Sequence, residues 1–145
     1  MPGPAIKVLI ICSWNSCRSQ MAEGWGRKLA GDEFEVRSAG IHAGGVNADA
    51  IASMREAGVD ISRQTSDVLT PTHFAWADYV VTVCDAARDA CPVVPSGKTA
   101  VHWSIRDPYG KNLSEKETHR AFIEVRNELH DRIVHLFEDI RKGEL

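Results

Sequence analysis

The chain has 145 residues, 43% of them hydrophobic, which suits one packed domain spanning residues 1–145. Seventeen Lys and Arg against twenty Asp and Glu give a formal net charge of −3. This balance argues against a protein that binds nucleic acid by neutralising phosphates. The apolar run at residues 8–12 is too short to cross a bilayer and lacks the flanks of a signal peptide. We therefore expect a cytoplasmic protein without nucleic-acid or membrane partners.

The order of hydrophobic patterns predicts an α/β fold. Residues 6–11 form a nearly continuous apolar run, typical of a buried parallel strand, and a helical pattern follows over residues 18–30. The later elements are a strand at 34–39, a helix capped by Asn47 that continues through 57, a short helix entering at Pro71, strands at 79–83 and 99–103, and a last helix opened by the capping box Ser114-x-x-Glu117. Right-handed crossovers then predict a four-stranded parallel sheet in the flavodoxin-like order 2-1-3-4, with helices on both faces.

The loop after the first strand has the spacing of an anion-binding turn. It reads Cys12-Ser13-Trp14-Asn15-Ser16-Cys17-Arg18-Ser19, a Cys-x5-Arg-Ser pattern between a strand and a helix. Its backbone N–H groups and the helix N-terminus would hold a tetrahedral anion, and Arg18 would bind two of the anion's oxygens. The same positive field would favour the thiolate of Cys12, to which Ser19 could donate a hydrogen bond.

A Cys-x5-Arg pattern is weak by itself, because a cysteine at a strand end can simply be a small buried residue. The preceding strand, the following helix and Ser19 favour a functional interpretation of Cys12. For Cys17 we expect an inert thiol, because two cysteines in one loop do not both need to react.

The spacing of the other cysteines predicts that the chain changes conformation if Cys84 and Cys91 form a disulfide. Cys84 follows the third strand, so it should meet Cys12 at the carboxyl edge of the sheet, where neighbouring strands lie about 4.8 Å apart. Residues 85–90 favour helix, which would place the α-carbons of Cys84 and Cys91 about 10 Å apart. A disulfide tolerates no more than about 7 Å, so a Cys84–Cys91 bridge would require this helix to unwind. Neither cysteine spacing, Cys-x4-Cys or Cys-x6-Cys, is the usual spacing of a zinc site.

Residues 12–25, Cys-x-x-Asn-Ser-Cys-Arg-Ser-Gln-Met-Ala-Glu-Gly-Trp, resemble the opening of the thioredoxin-coupled arsenate reductases, which share the low-molecular-weight tyrosine phosphatase fold. Two residues depart from the family pattern. Trp14 stands where a glycine is usual, and would be strained by about 1 kcal/mol or more if that position needs a positive φ. Arg106 stands where an acidic residue is common. The likeness otherwise covers nearly the whole chain, through Ser38-Ala39-Gly40, Asp60-Ile61-Ser62, Thr65-Ser66-Asp67, Val80-Val81-Thr82-Val83-Cys84, Cys91-Pro92, His102-Trp103, Asp107-Pro108 and the last helix.

The resemblance implies an enzyme that detoxifies arsenic by reducing arsenate to arsenite. Thiolate Cys12 would attack arsenate, and Cys84 would then attack the Cys12 sulfur, releasing arsenite and leaving a Cys12–Cys84 disulfide. Cys91 would next attack Cys84, and thioredoxin would reduce the resulting Cys84–Cys91 bridge. No cofactor is required by this scheme, and we expect a monomer.

The resemblance also implies roles for Asp107 and for a polar cluster. In the related phosphatases the Asp-Pro aspartate is the general acid; here Asp107 could protonate a departing oxygen, help to deprotonate a thiol, or simply start a turn. Some family members hold a potassium ion behind the loop, at positions that correspond to Asn15, Glu23, Ser38, Thr65 and Asp67.

Two other functions fit the residues. In a low-molecular-weight protein tyrosine phosphatase, Cys84 and Cys91 would be passive, whereas in a zinc or disulfide module without enzymatic activity they would be structural. A weak phosphatase activity is also expected beside arsenate reduction.

Overall fold

The computed structural model describes residues 3–90 and 94–145 of the chain. Cys91, the expected last member of the cysteine relay, lies outside the described residues. Within them the chain alternates strands and helices as predicted: β1 (Ile6–Cys12), α1 (Arg18–Leu29), β2 (Phe34–Gly40), α2 (Ala48–Glu56), α3 (Pro71–Trp76), β3 (Tyr79–Thr82), α4 (Asp85–Ala90), β4 (Thr99–His102) and α5 (Glu115–Lys142). No helix in this part of the chain is both long and apolar enough to cross a membrane.

The four strands form one parallel sheet in the order β2-β1-β3-β4, which confirms the predicted topology. In the β1 register, Ile11 pairs with Thr82 of β3, and Cys12 pairs with Gly40 of β2. β3 ends one residue earlier than predicted, but its hydrogen bonding continues, because the Val83 N–H donates to the carbonyl oxygen of Ile11 at 3.0 Å. The carboxyl ends of β1, β2 and β3 therefore lie side by side.

The helices form two groups. α1 packs against both α5 and α2, whereas α3 and α4 contact β1. Right-handed crossovers place these groups on opposite faces of the sheet.

The long last helix, α5, closes the first face of the sheet. It begins with the predicted capping box, in which Ser114 Oγ accepts from the Glu117 N–H, and it ends before Gly143 at φ +69°. Its apolar stripe is buried as its periodicity predicts, through Phe122, Val125, Leu129, Ile133, Leu136 and Ile140.

Candidate active site

The loop between β1 and α1 has its carbonyl groups tied to the segment at residues 41–47. Four N–H groups of that segment donate to four loop carbonyl oxygens at 2.8–3.2 Å: Ile41 to Cys12, His42 to Ser13, Gly44 to Trp14 and Asn47 to Ser16. Within the part of the chain that the structure describes, the backbone N–H groups of residues 13–17 donate to no protein acceptor. The loop thus has the property of an anion-binding nest, with its acceptors occupied and its donors available.

Cys12 lies at the end of β1 with its sulfur against a hydroxyl. The side chain is 3% exposed, and its Sγ is 2.9 Å from Ser19 Oγ. Ser19 Oγ also accepts a hydrogen bond from Asn15 Nδ2 at 2.8 Å, which leaves the Ser19 hydrogen free to donate to the sulfur. A hydroxyl oriented in this way stabilises a thiolate.

Asn15 fixes the shape of the loop. It is fully buried with φ +46°, a left-handed conformation that asparagine tolerates better than most residues. Its Oδ1 accepts from the Asp67 N–H at 2.7 Å, and its carbonyl oxygen accepts from Gln20 Nε2 and Ser66 Oγ. The sequence did not predict that Gln20 and Ser66 support the loop.

The strain considered for Trp14 is absent, because the left-handed residue is its neighbour Asn15 and Trp14 does not have a positive φ. The Trp14 side chain is 57% exposed and stacks on His42, with the ring centroids 4.5 Å apart. The chain therefore accommodates tryptophan at this position by directing it to the surface beside residues 41–47.

Cys17 is placed unfavourably for reaction. Burial raises its pKa well above the ordinary range of a thiol, and the opposing effect of the Arg18 charge is smaller. A thiol that stays protonated is a poor nucleophile, which favours the inert role expected for this residue.

Arg18 connects the loop to the chain segment after β4. Its Nη1 donates to the carbonyl oxygen of Ile105 at 2.9 Å. A guanidinium has five N–H donors, so this bond leaves others for an oxyanion, and the predicted binding role of Arg18 stays a prediction.

Cys84 lies two residues beyond β3 and reaches the same loop. It is 3% exposed, and its Sγ is 3.4 Å from Oγ of Ser13, the residue that follows Cys12. The hydrogen bond between Val83 and Ile11 aligns the two chain segments immediately before these cysteines. The structure thus brings Cys12 and Cys84 to one edge of the sheet, as the topology predicted.

The residue after Cys84 is anchored to the far edge of the sheet. Asp85 Oδ1 accepts from Ser104 Oγ and from His102 Nε2, both at 2.8 Å. Both hydrogen bonds lower the pKa of Asp85, and the one from Ser104 has the larger effect. The sequence did not predict these contacts of Asp85, because Ser104 and His102 are far from it along the chain.

Asp107 starts a turn in the exposed segment after β4. Its Oδ1 accepts from the Tyr109 N–H at 2.9 Å, the Asx-turn geometry that was considered for this Asp-Pro pair. The adjacent Arg106, the second departure from the family pattern, pairs with Glu124 of α5 at 2.7 Å between two half-exposed side chains. A role of Asp107 in proton transfer stays a prediction.

The polar residues behind the loop form one hydrogen-bonded cluster. Asn15 Nδ2 donates to Ser38 Oγ at 2.9 Å, and Ser38 donates in turn to Glu23 Oε1 at 2.5 Å. Arg27 Nε donates to the other Glu23 oxygen at 2.7 Å.

The remaining two residues of the expected potassium set extend this cluster. Thr65 Oγ1 donates to Asp67 Oδ2 at 2.7 Å, and the Asp67 N–H binds Asn15. Oxygens and a buried carboxylate are the donors a hard cation prefers, so their chemistry fits potassium. Within residues 3–90 and 94–145, no group of three His, Cys, Asp or Glu side chains is placed to hold a metal ion, and Cys91 lies outside this part of the chain.

The buried carboxyl of Glu23 makes stability depend on pH. Burial raises its pKa above the ordinary value of 4.5, although Ser38 and Arg27 act in the opposite direction. A carboxyl with a raised pKa binds more protons in the folded state, so its stabilising contribution is lost as the pH rises above about 4.5. We therefore expect the free energy of unfolding of Glu23→Gln, minus that of the wild type, to increase with pH over this range.

Urea denaturation at a series of pH values measures this difference. Glu35→Gln, the same change at an exposed carboxyl, is the matched control. A difference for Glu23→Gln that stays constant or decreases as the pH rises would contradict the expectation.

Comparison with known proteins places the chain in a family. The model of the low molecular weight phosphotyrosine protein phosphatase family matches residues 7–144. The chain is 49% identical over 126 residues to a protein of Halalkalibacterium halodurans named arsenate reductase, covering 87% of this chain and 91% of that protein.

Solved structures agree with this assignment. A structure described as an arsenate reductase in the phosphate binding state superposes with a TM-score of 0.77 at 31% identity, covering 93% of this chain and 98% of the other. The Corynebacterium glutamicum thioredoxin-dependent arsenate reductase has a TM-score of 0.79 at 30% identity, covering 99% of this chain and 65% of that one. The chain therefore belongs to the low molecular weight phosphotyrosine protein phosphatase family and, within it, to the arsenate reductases.

Proposed function

We propose that this protein reduces arsenate to arsenite through a relay of Cys12, Cys84 and Cys91 and is regenerated by thioredoxin. The net reaction converts arsenate and a dithiol to arsenite, a disulfide and water. A cell compartment that keeps thiols reduced suits this cycle, so we expect the protein in the cytoplasm.

In the first step, arsenate binds to the N–H groups of residues 13–17 and to the free donors of Arg18. The Cys12 thiolate, stabilised by Ser19, forms a bond to arsenic and expels an oxygen as water. Asp107 supplies the proton that this departing oxygen needs. The product is arsenic(V) bound to the Cys12 sulfur.

In the second step, the Cys84 thiolate attacks the Cys12 sulfur. The sulfur–arsenic bond breaks, its electron pair reduces arsenic(V) to arsenic(III), and arsenite leaves. A Cys12–Cys84 disulfide remains, and Cys91 attacks Cys84 to free Cys12 as a thiolate. Thioredoxin then reduces the Cys84–Cys91 disulfide by the same thiol–disulfide exchange.

The observation that carries this proposal is the position of the Cys84 sulfur, 3.4 Å from the hydroxyl of Ser13 in the loop at residues 12–19, the oxyanion loop. A phosphatase needs one thiolate in this loop, whereas a redox enzyme needs a second sulfur that can reach the first. The names of the relatives support the same conclusion, since proteins 44–49% identical to the chain are arsenate reductases.

A coupled assay tests the proposal. The purified protein is mixed with thioredoxin, thioredoxin reductase and NADPH, and arsenate is added. We expect arsenate-dependent consumption of NADPH and none without arsenate. If no NADPH is consumed at any arsenate concentration, thioredoxin-coupled reduction is overturned. If arsenate-dependent turnover requires a small thiol, that thiol and not thioredoxin is the electron donor.

A weak phosphatase activity is the second function we propose. Phosphate and arsenate have the same shape and charge, so the same N–H groups, Arg18 and Cys12 can bind and attack a phosphate ester. Phosphorus(V) is not reduced by thiols, so the phosphate bound to Cys12 is released by water instead. The match to the phosphatase family supports this side reaction.

We also propose that a potassium ion can bind among Asn15, Glu23, Ser38, Thr65 and Asp67, although the reaction requires no cofactor. The ion would neutralise the buried Glu23 carboxylate and thereby stiffen the support of the oxyanion loop. Thermal unfolding in KCl and NaCl of equal ionic strength tests this. A higher Tm in KCl for the wild type but not for Glu23→Gln is expected, and equal Tm values in the two salts would exclude a specific ion.

A further inference from the structure

The phenol of Tyr109 is bound by the helix that starts next to the oxyanion loop. Its hydroxyl lies 2.5 Å from Asp49 Oδ2, to which it donates, and it accepts from Asn47 Nδ2 at 2.9 Å. Burial, and then the hydrogen bond to Asp49, raise the pKa of Tyr109 to about 12. A hydroxyl with a pKa this high keeps its proton at neutral pH, and with it the hydrogen bond to Asp49.

Asn47 transmits this contact to the oxyanion loop. Its side chain caps α2 by accepting from the Ala50 N–H at 2.9 Å, so the residue is held rigidly at the helix start. Its own N–H donates to the carbonyl oxygen of Ser16 at 2.9 Å. Tyr109 is thus connected to the oxyanion loop through one intervening residue.

The backbone of Tyr109 also binds Asp107. The Tyr109 N–H donates to Asp107 Oδ1, which fixes one oxygen of that carboxyl. The phenol ring packs edge-on against Phe122 of α5, with the centroids 5.0 Å apart. Backbone, ring and hydroxyl of Tyr109 therefore have three different partners.

A second connection joins the two loops, from Arg18 to Ile105. In the proposed reaction, however, Arg18 also binds the oxyanion, so its guanidinium serves two partners during catalysis. Asn47 and Tyr109, the two residues between the oxyanion loop and Asp107 in the other connection, do not touch the substrate. They can hold the Asp107 segment in place whether or not an oxyanion is bound.

We infer that Tyr109 is a positioning residue, whose hydroxyl holds the segment of Asp107 against the oxyanion loop so that this carboxyl can deliver a proton to the departing oxygen. This inference rests on the proposed arsenate reduction. It predicts that the hydroxyl contributes to the rate of the first chemical step and contributes little to the binding of the anion.

The Tyr109→Phe variant tests this inference, because it keeps the ring beside Phe122 and removes only the hydroxyl. The first-turnover rate of arsenate reduction, with protein in excess, should decrease by about tenfold. The affinity of the reduced protein for inorganic phosphate, measured by calorimetry, should change by less than about twofold. Asp49→Ala, which removes the acceptor instead, should lower the rate in the same direction.

Two comparisons separate positioning from general stability. Tyr79→Phe, the same change at the start of β3, should leave both the rate and the phosphate affinity unchanged. In a chain that already carries Asp107→Asn, Tyr109→Phe should lower the rate no further, because the group it positions is gone. This lack of additivity is the result that a merely structural role would not produce.

The inference is overturned if Tyr109→Phe turns over at the wild-type rate. It is also overturned if Tyr109→Phe weakens phosphate binding as much as it slows the reaction, or lowers the rate equally with and without Asp107. If the wild-type protein binds phosphate but reduces no arsenate, the proposed function is wrong, and this inference is wrong with it.

Discussion

The Cys84→Ser variant is expected to lose arsenate-dependent oxidation of thioredoxin by at least about a thousandfold, because a serine hydroxyl is not ionised at neutral pH and cannot form a disulfide. The same variant should hydrolyse an aryl phosphate at nearly the wild-type rate, because the groups that bind and attack phosphate remain. Serine is close to cysteine in size and can keep the contact to Ser13, so the buried site should retain its shape. The two assays, run on one preparation, measure this separation of activities.

Cys17→Ser is the matched control for this experiment. It makes the same atomic change in the oxyanion loop at a thiol that burial keeps protonated, so both activities should persist. Cys12→Ser should abolish both activities, since each begins with attack by that sulfur. Arsenate reduction that survives in Cys84→Ser would contradict the relay, and a parallel loss of phosphate ester hydrolysis would show that Cys84 supports the loop rather than the redox step.

The second large effect is expected for Gly40→Ala at the end of β2. A β-carbon built on Gly40 would overlap the carbonyl oxygen of His42 and lie 2.6 Å from the backbone nitrogen of Asn15. Gly40 cannot easily shift, because its N–H and carbonyl are both hydrogen-bonded to the segment at residues 67–69. The variant should therefore be destabilised by about 2–3 kcal/mol and should bind phosphate at least about tenfold more weakly.

Gly44→Ala is the control for the loss of a glycine in this region. A β-carbon there would lie 3.6 Å from its nearest neighbour, an ordinary contact with Trp14, so stability and phosphate affinity should change little. Urea denaturation and calorimetric phosphate titration of both variants make the comparison. Equal behaviour of the two alanine variants would show that close approach at Gly40 does not shape the oxyanion loop.

The sheet could be predicted from the sequence because its signals are local. The apolar run at residues 6–11, the capping box at Ser114 and the period of the last helix each depend on neighbours in the chain. Once the strands alternated with helices, the handedness of the crossovers left few arrangements, and the order β2-β1-β3-β4 followed. The strand ends differ from prediction by one residue, since β1 and β2 are longer and β3 and β4 shorter than the sequence predicts. At β3 the hydrogen bonding continues beyond the regular strand, at Val83.

The candidate site could be predicted where a local motif or a strand end marks its residues, as at Ser19 in the Cys-x5-Arg-Ser pattern and at Cys12 and Cys84. Both cysteines follow strand ends, and the structure places them at one edge of the sheet, with Cys84 Sγ 3.4 Å from Ser13 Oγ. The role of residues 41–47 in holding the loop carbonyls was missed, because the only local signal in that segment is the helix cap at Asn47. Tyr109 was missed for a different reason: its partners Asn47 and Asp49 are about sixty positions away, and no local pattern records such a contact.

Trp14 illustrates how a single residue can mislead. A tryptophan where glycine is usual suggested backbone strain, but the residue with the left-handed conformation is Asn15. The side chain and carbonyl of Asn15 are hydrogen-bonded to Ser38, Gln20 and Asp67. Which residue of a tight loop has a positive φ depends on the whole loop, and the sequence of one position does not determine it.

Mass mapping of the disulfide after a single turnover tests the relay most directly. The reduced protein is mixed with arsenate without thioredoxin, the free thiols are alkylated, and the digested peptides are identified by mass. The proposed relay predicts a disulfide between Cys84 and Cys91 with Cys12 alkylated, and a disulfide between Cys12 and Cys84 in the Cys91→Ser variant. Release of arsenite while Cys84 remains alkylated, with no disulfide at that residue, would contradict it.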